Sequence, residues 1–267
     1  SVAIAYWMDN PATGQPYTNV RFNQRLLVKL LTTSYNFLHD ACLPKANHGT
    51  LGCDKAVNNN PGSLYTDPEF KQLDPGIKAA PNQGGQFQIP TVQAGFSDLA
   101  WTTTRWIGAN PAAAAFIKGT SAPGGMHINT DYKGMAYPAD QFQQQDGYSV
   151  ISREYGEVAQ PQYVAERYQA ENWYPGDNYF PDGQGNYDAV SPEAPGQRSL
   201  IALMGDGDAA AYTFPVMAIP NAAGKYVEPT AATMTAAAQS LVSIGSGVQQ
   251  VNLKNTNPGA YPLTQIV

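Results

Sequence analysis

Val2-Ala-Ile-Ala-Tyr-Trp7, then Asp9-Asn-Pro-Ala-Thr-Gly14, then Arg21-Phe-Asn-Gln-Arg-Leu-Leu-Val-Lys-Leu-Leu31 are the stretches whose reading decides the fold class. The first is an unbroken apolar run, the pattern of a strand covered on both faces. The second is a cluster of turn formers that ends it. The third carries Phe22, Leu26, Leu27, Leu30 and Leu31 at three-to-four spacing, which predicts an amphipathic helix over residues 21–35. Asn19 is placed to cap it. Arg21, Arg25 and Lys29 recur at i,i+4 along that helix and read as a solvated basic face.

Outward from this strand and helix the chain keeps alternating. Residues 40–92 are loop-rich. Within them Thr66-Asp-Pro-Glu-Phe70 reads as a capped helical turn with Pro68 at its first position, stopped by Leu73-Asp-Pro-Gly-Ile77. A strand over 87–92 precedes Ser97 or Asp98, either of which can cap a helix that buries Trp101, Thr104 and Ile107. Asn110 and Pro111 open a second helix over 111–117. Residues 119–125 read as a turn, and short strands are expected at 126–128 and 148–151. Leu200-Ile-Ala-Leu-Met204 is a buried-strand run. Asp208 caps a short helix ending at Tyr212, and 216–219 reads as a strand. Asn221-Ala-Ala-Gly224 makes a turn, and Thr230 caps an alanine-rich helix over 231–242. A polar excursion then leads to a closing strand over 260–267. Strands alternating with helices predict an α/β fold, a mixed sheet with flanking helices.

The 267 residues suffice for one large domain or two modest lobes with a real core. Charged residues are 13%, about half the usual share, and 25 Gly, 21 Pro and 16 Tyr stand in their place. A net charge of −6, with the basic residues scattered, excludes a nucleic-acid partner, because phosphate backbones are held by clustered Lys and Arg. No apolar stretch approaches the roughly 20 residues that cross a bilayer. The chain opens on Ser1 without a charged leader, so it reads as a mature or excised piece of a longer product. Its surface-type composition, rich in Tyr, Asn, Gln, Thr and Gly, gives the expectation of a secreted or cell-surface location.

Cys42 and Cys53 flank a loop punctuated by Pro44, Gly49 and Gly52, and a local disulfide is the favoured reading. Two free thiols, or a zinc site with His39 and His48, are the alternatives. The alternating His-Cys-His-Cys order fits neither of the usual paired spacings of zinc ligands. His127, in a Gly-rich turn, reads as a hydrogen-bonded structural residue. No nucleophile elbow, zinc-protease pair, phosphate loop or dinucleotide fingerprint occurs. The acidic stretches at 177–188 and Asp206-Gly-Asp208 lack the ligand spacing of a calcium-binding loop and read as turn chemistry. Tyr155, Tyr163, Tyr168, Trp173 and Tyr174 mix with Glu154, Glu157, Glu166 and Glu171, a combination that builds a sugar or cation site or covers a core edge.

Four short stretches taken together carry a resemblance. They are the opening strand with Thr18-Asn-Val-Arg-Phe-Asn-Gln-Arg-Leu-Leu-Val-Lys-Leu-Leu31, the turn Leu73-Asp-Pro-Gly-Ile77, the passage Gly224-Lys-Tyr-Val-Glu-Pro-Thr230, and Ala260-Tyr-Pro-Leu-Thr264. In order they resemble the hinge strand and first helix of the second lobe, the Leu-Asn-Pro-Gly turn, the Gly-Lys-x-Val-x-Pro-Thr passage and the closing Ala-Trp-Pro-Ile-Thr strand of the phosphate-binding proteins of ABC importers, in a divergent secreted form. The resemblance implies a type II periplasmic-binding-like fold, two α/β lobes around a hinge. Residues 1–20 would form the hinge strand and turn, 21–205 the second-lobe region with long loops, and 206–267 the return toward the hinge and first lobe. The opening lobe segment would be missing from this chain and supplied by another segment or another chain.

Carried over residue by residue, the family's oxyanion loop Arg-x-Asp-Gly-Ser-Gly-Thr is altered here. Ser97 stands on its Ser, but Gln93 stands on the Arg, Gly95 on the Asp, Asp98 on the second Gly and Leu99 on the Thr. The charged donor and one hydroxyl are lost and a carboxylate is gained. A carboxylate about 4 Å from an anion costs roughly 1–4 kcal/mol per charge. Phosphate specificity is therefore not carried over, and a neutral or cationic ligand is better matched. The candidate ligand residues are Ser97, Asp98, Thr102 and Arg105. The leading expectation is a secreted, non-catalytic solute-binding-like module that takes a small solute and uses no cofactor. The alternatives are a structural or interaction module with a degenerate pocket and, less favoured, a glycan hydrolase using two carboxylates among Glu154, Glu157, Glu166, Glu171 and Asp177.

Overall fold

The computed structural model of the chain describes residues 1–36, 57–79, 90–93, 96–142, 154–155, 194–245 and 247–265. The expected Cys42–Cys53 bridge, the strand over 148–151, the Tyr- and Glu-rich stretch beyond Tyr155 and the acidic loop at 177–188 lie outside those residues.

A four-stranded sheet is built from β1 (Val2–Met8), β2 (Pro90–Gln93), β3 (Glu154–Tyr155) and β4 (Ser199–Gly205), in the order β1-β4-β2-β3. β1 and β4 run antiparallel, from Val2 opposite Gly205 to Met8 opposite Ser199, while β2 is parallel to both β4 and β3. The sheet is mixed. Strand β1 is covered on both faces, and its fully buried side chains divide by size between them, with the half-buried Trp7 on the side of the alanines. Val2, Ile4, Tyr6 and Met8 point into the main core, whereas Ala3 and Ala5 join Ala202, Met204, Ala209 and Phe214 on the other side. This is the two-residue period of a strand. The small face admits the short helix that follows β4, and the large face meets the longer helices.

On the large face lie α1 (Gln24–Leu31), α2 (Pro68–Leu73), α3 (Asp98–Gly108) and α4 (Pro111–Ile117). Leu26, Leu27, Leu30, Trp106, Ile107 and Phe116 are buried in one core cluster with Ile4 and Tyr6 of β1, each contributing about 1.5–3 kcal/mol by leaving water. Helix α5 (Asp206–Ala211) follows β4 directly. The hairpin of β5 (Ile219–Pro220) and β6 (Tyr226–Val227) leads to α6 (Ala231–Ala238), and β7 (Leu241–Gly245) pairs with β8 (Val248–Val251).

Several helix caps match the sequence expectations. Ser97 accepts from the Ala100 N–H, Asn110 from Ala112 and Ala113, and Thr230 from Thr233. Others differ. Asn23 rather than Asn19 caps α1, accepting from the Leu26 N–H at 2.9 Å. Asn19 instead occupies the left-handed region at φ 57°, which Asn tolerates. Helix α1 therefore starts three residues later than its apolar spacing implied. It ends at Leu31, where Thr32 Oγ1 donates to the Val28 carbonyl and Thr33 turns to φ 44°. Helix α6 stops at Ala238 rather than 242, and β7 and β8 pair where the end of that helix and the start of the excursion were expected. Residues 126–128 make a bridge from Met126 to Ala122 rather than a strand. The described part of the closing segment is no strand either. It is tied to β1 by the Val2 N–H to the Leu263 carbonyl and by the Tyr261 hydroxyl to the Val2 carbonyl.

The basic stripe is the largest correction. Arg21, Arg25 and Lys29 do not form a solvated face; they meet acidic groups on and around α2. Their side-chain exposures fall from 44% through 22% to 0% along the stripe. Lys29 Nζ lies 2.6 Å from Asp67 and 2.9 Å from Glu69. Arg25 binds both oxygens of Glu69, and Arg21 Nε reaches Asp74 at 3.3 Å. Tyr35 donates to Asp67, whose other oxygen caps α2 through the Glu69 N–H. Every carboxylate oxygen of Asp67 and Glu69 thus has a donor. Removing one partner from such a buried set strands the others, at a cost of about 3–5 kcal/mol, whereas an exposed pair contributes roughly 0–1 kcal/mol. Urea unfolding of Lys29→Ala is expected to show a loss in the first range with an unchanged denaturant slope, and Arg21→Ala a loss in the second. Equal small losses for both would mean that the burial gradient does not set the energetics.

Candidate functional site

Helix α3 carries the residues that the sequence singled out, and the fold gives most of them structural partners. The Ser97 hydroxyl caps the helix, and its N–H donates to the Asp140 carbonyl at 2.7 Å. Asp98 is exposed in the first turn, where a negative charge suits the helix dipole. Thr102 Oγ1 accepts from the Gln265 side chain at 3.4 Å. Arg105 donates to the Val251 carbonyl at 2.8 Å, and burial draws its guanidinium below the usual range. These residues tie α3 to β8 and the chain end rather than converging on a shared space. Gln93 lies in β2.

A cleft of about 580 Å³ opens elsewhere, lined by Asn19, Arg21, Asp74, Ala218, Tyr226, Val227, Glu228, Thr230 and Thr233. Its walls come from separate parts of the chain. The extended lead into α1 pairs with the segment before β5, through Arg21 alongside Ala218 and the Phe22 N–H to the Ala218 carbonyl. Asp74 caps the end of α2. β6 supplies Tyr226 and Val227, and the start of α6 supplies Thr230 and Thr233. The four stretches singled out in the sequence therefore meet around one opening. Three line it, and the fourth is bonded to a lining residue where the Tyr261 N–H donates to the Thr233 carbonyl.

The polar groups of the cleft differ in how far they are committed. Arg21 holds Asp74 through its Nε and its backbone N–H and gives one terminal nitrogen to the Leu73 carbonyl. Thr230 and Thr233 are joined in a reciprocal cap, and Thr233 Oγ1 also donates to the Glu228 carbonyl oxygen. Among the described residues, no hydrogen bond or ion pair engages the Glu228 carboxylate. Burial pushes the Asp74 carboxyl up from its ordinary value, and the bonds from Arg21 only partly reverse this. Burial also raises the Tyr226 phenol, against a hydrogen bond with Asn23 and the charge of Arg21. The charge of Glu228 adds to burial in raising Tyr6 and Tyr261.

Asn221 anchors the hairpin beside this cleft. Its amide faces the carbonyls of Asn257, Pro258 and Ala260, and its Oδ1 accepts from Ala223 and Lys225. The sequence marked it as a turn residue, and the run Asn221-Ala-Ala-Gly224, with Gly224 at φ 72°, was the available signal. His127 is exposed, with Nδ1 3.2 Å from the Ser121 hydroxyl and its N–H on Asn60. Asp206 and Asp208 lie in the first turn of α5. Among the described residues no three His, Cys, Asp or Glu side chains group as metal ligands would, and no helix is long and apolar enough to cross a membrane. Of the carboxylates considered for glycan hydrolysis, Glu154 is in β3 and the others lie outside the described residues. The chain matches no protein-family model and no curated protein.

The titrating groups set a pH window for stability. Burial pushes the Glu69 carboxyl up, but its bonds to Arg25 and the charge of Lys29 bring it below 4.5, its ordinary value. Its contribution is complete above that value and is lost as pH falls through the lower folded one. Asp74, raised from 3.8, acts in the opposite sense and tempers the acid loss. Burial raises Tyr6, Tyr35, Tyr137 and Tyr261 above 10.0, so their contribution is complete below that value and is lost as pH rises past it. Thermal unfolding is expected to show a plateau between about pH 5 and about pH 9, with a steeper fall on the alkaline side. A midpoint still level at about pH 11 would contradict the assignment of those phenols as un-ionised core groups.

Proposed function

We propose that the chain is a secreted or cell-surface, non-catalytic solute-binding-like module with a type II periplasmic-binding-like fold, and that its solute is not phosphate. The observation that carries this reading is the cleft between the lead into α1, the end of α2, β6 and the start of α6. Its volume is in the range of small-molecule sites, about 300–1,000 Å³. Its lining combines hydroxyl, amide, guanidinium and carboxylate groups with a tyrosine and a valine. Such a mixture suits reversible capture of a polar solute. Arg21 is already paired with Asp74, and Glu228 adds a negative charge that no described residue pairs, so a phosphate dianion would meet net repulsion. No cofactor enters the proposal.

A second reading, a structural or interaction module, is favoured by the commitment of Ser97, Thr102 and Arg105 to bonds within the fold. Calorimetry of the full chain against phosphate, sulfate, sugars, amino acids and amines separates the two. Heat from a solute other than phosphate or sulfate is the expected result. Tight phosphate binding would overturn the charge argument, and silence throughout would leave the structural module as the function.

A further inference from the structure

We propose that the cleft beside β6 selects a small organic cation, an amine carrying at least one ammonium group, with the Glu228 carboxylate as its counter-ion. This inference rests on the solute-binding reading and gives its ligand a chemical class. The ionised side chains lining the cleft are Arg21, Asp74 and Glu228. Arg21 and Asp74 cancel, because the Arg21 Nε and backbone N–H both bind that carboxylate, at 3.3 and 3.0 Å. The same guanidinium is held further by the Leu73 carbonyl, so it is a fixed wall rather than a waiting anion site. Glu228 remains, half-buried and without a side-chain partner among the described residues. Lys225, the nearest cation along the hairpin, is exposed and does not line the opening.

The cleft therefore carries one net negative charge in a partly enclosed space, where a charge is screened less than in open water. An ammonium group meets that charge with three N–H donors for an acceptor that has none. Tyr226 in the same wall adds an aromatic surface of the kind that attracts organic cations. A neutral sugar would find few open partners, since the Thr230 and Thr233 hydroxyls are engaged in the cap of α6 and Asp74 is already held. An anion would meet a carboxylate that no described residue pairs.

The test is calorimetry of the full chain with 1,4-diaminobutane, glucose and phosphate as probes, repeated on Glu228→Gln and on Asp98→Asn. Glu228→Gln keeps the shape of the side chain and the backbone carbonyl that Thr233 uses. Binding of 1,4-diaminobutane is expected, about tenfold weaker in Glu228→Gln and unchanged in Asp98→Asn, with glucose and phosphate silent. Glucose binding without diamine binding would overturn the cation class while leaving the solute-binding reading in place. Diamine binding that is unaffected by Glu228→Gln, or weakened by Asp98→Asn, would overturn the site. Silence of all three probes would overturn the cation proposal, and silence across the wider panel as well would overturn the solute-binding reading.

Discussion

Lys29 is a fully buried ammonium, and the arrangement of the large face of the sheet depends on how its charge is satisfied. Leaving such a group unpaired would cost several kcal/mol, so α1 docks where two carboxylates can reach it. Asp67 and Glu69 provide them, 38 and 40 residues further along the chain. Asp67 serves three purposes: it pairs with Lys29, accepts from Tyr35 and caps α2. The same residues thus fix the start of one helix, the side of another and the orientation of a buried phenol. A misplaced register would break several bonds together, which makes the contact selective as well as stabilising.

The consequence reaches the cleft. Arg21 continues the stripe toward solvent, and with α1 and α2 held together deeper in, Arg21 and Asp74 are set opposite each other at the rim. The lead into α1 also pairs with the chain ahead of β5, which brings the β5–β6 hairpin alongside. Asn221 then holds that hairpin to the 257–260 segment. Core packing and the buried charges act in one direction here. Both draw sequence-distant segments to a single opening and leave Glu228 on its wall without a side-chain partner among the described residues.

The contrast between α3 and the cleft shapes the functional reading. At α3 the Ser97, Thr102 and Thr104 hydroxyls and the Arg105 guanidinium bond within the protein itself, and that is what a helix cap and a loop anchor require. At the cleft the bonding capacity is only partly used. A site for a solute needs a group that is held in place yet unspent, and Glu228, on a wall fixed by the Arg21–Asp74 pair, has that character among the described residues. The proposal of a solute-binding module follows from this difference in commitment rather than from any one residue type.

Local chemistry was legible in the sequence. The caps at Ser97, Asn110 and Thr230, Pro68 opening α2, and the apolar runs that became β1 and β4 depend on neighbours a few residues away, so their patterns survive without the fold. Leu73–Ile77 and Gly224–Thr230 stood out through resemblance alone, and their meeting around one cleft was not legible. The reading of Arg21, Arg25 and Lys29 as a wet face failed because i,i+4 spacing says which residues share a face and not what covers it. What covers it is α2, whose acidic groups are invisible to any local window. The sequence by itself therefore determined where elements begin and which residues lie together on them. Only the tertiary structure decided which charges are buried, which polar groups remain unspent and where a cleft opens, because burial and pairing are properties of segments brought together across long stretches of chain.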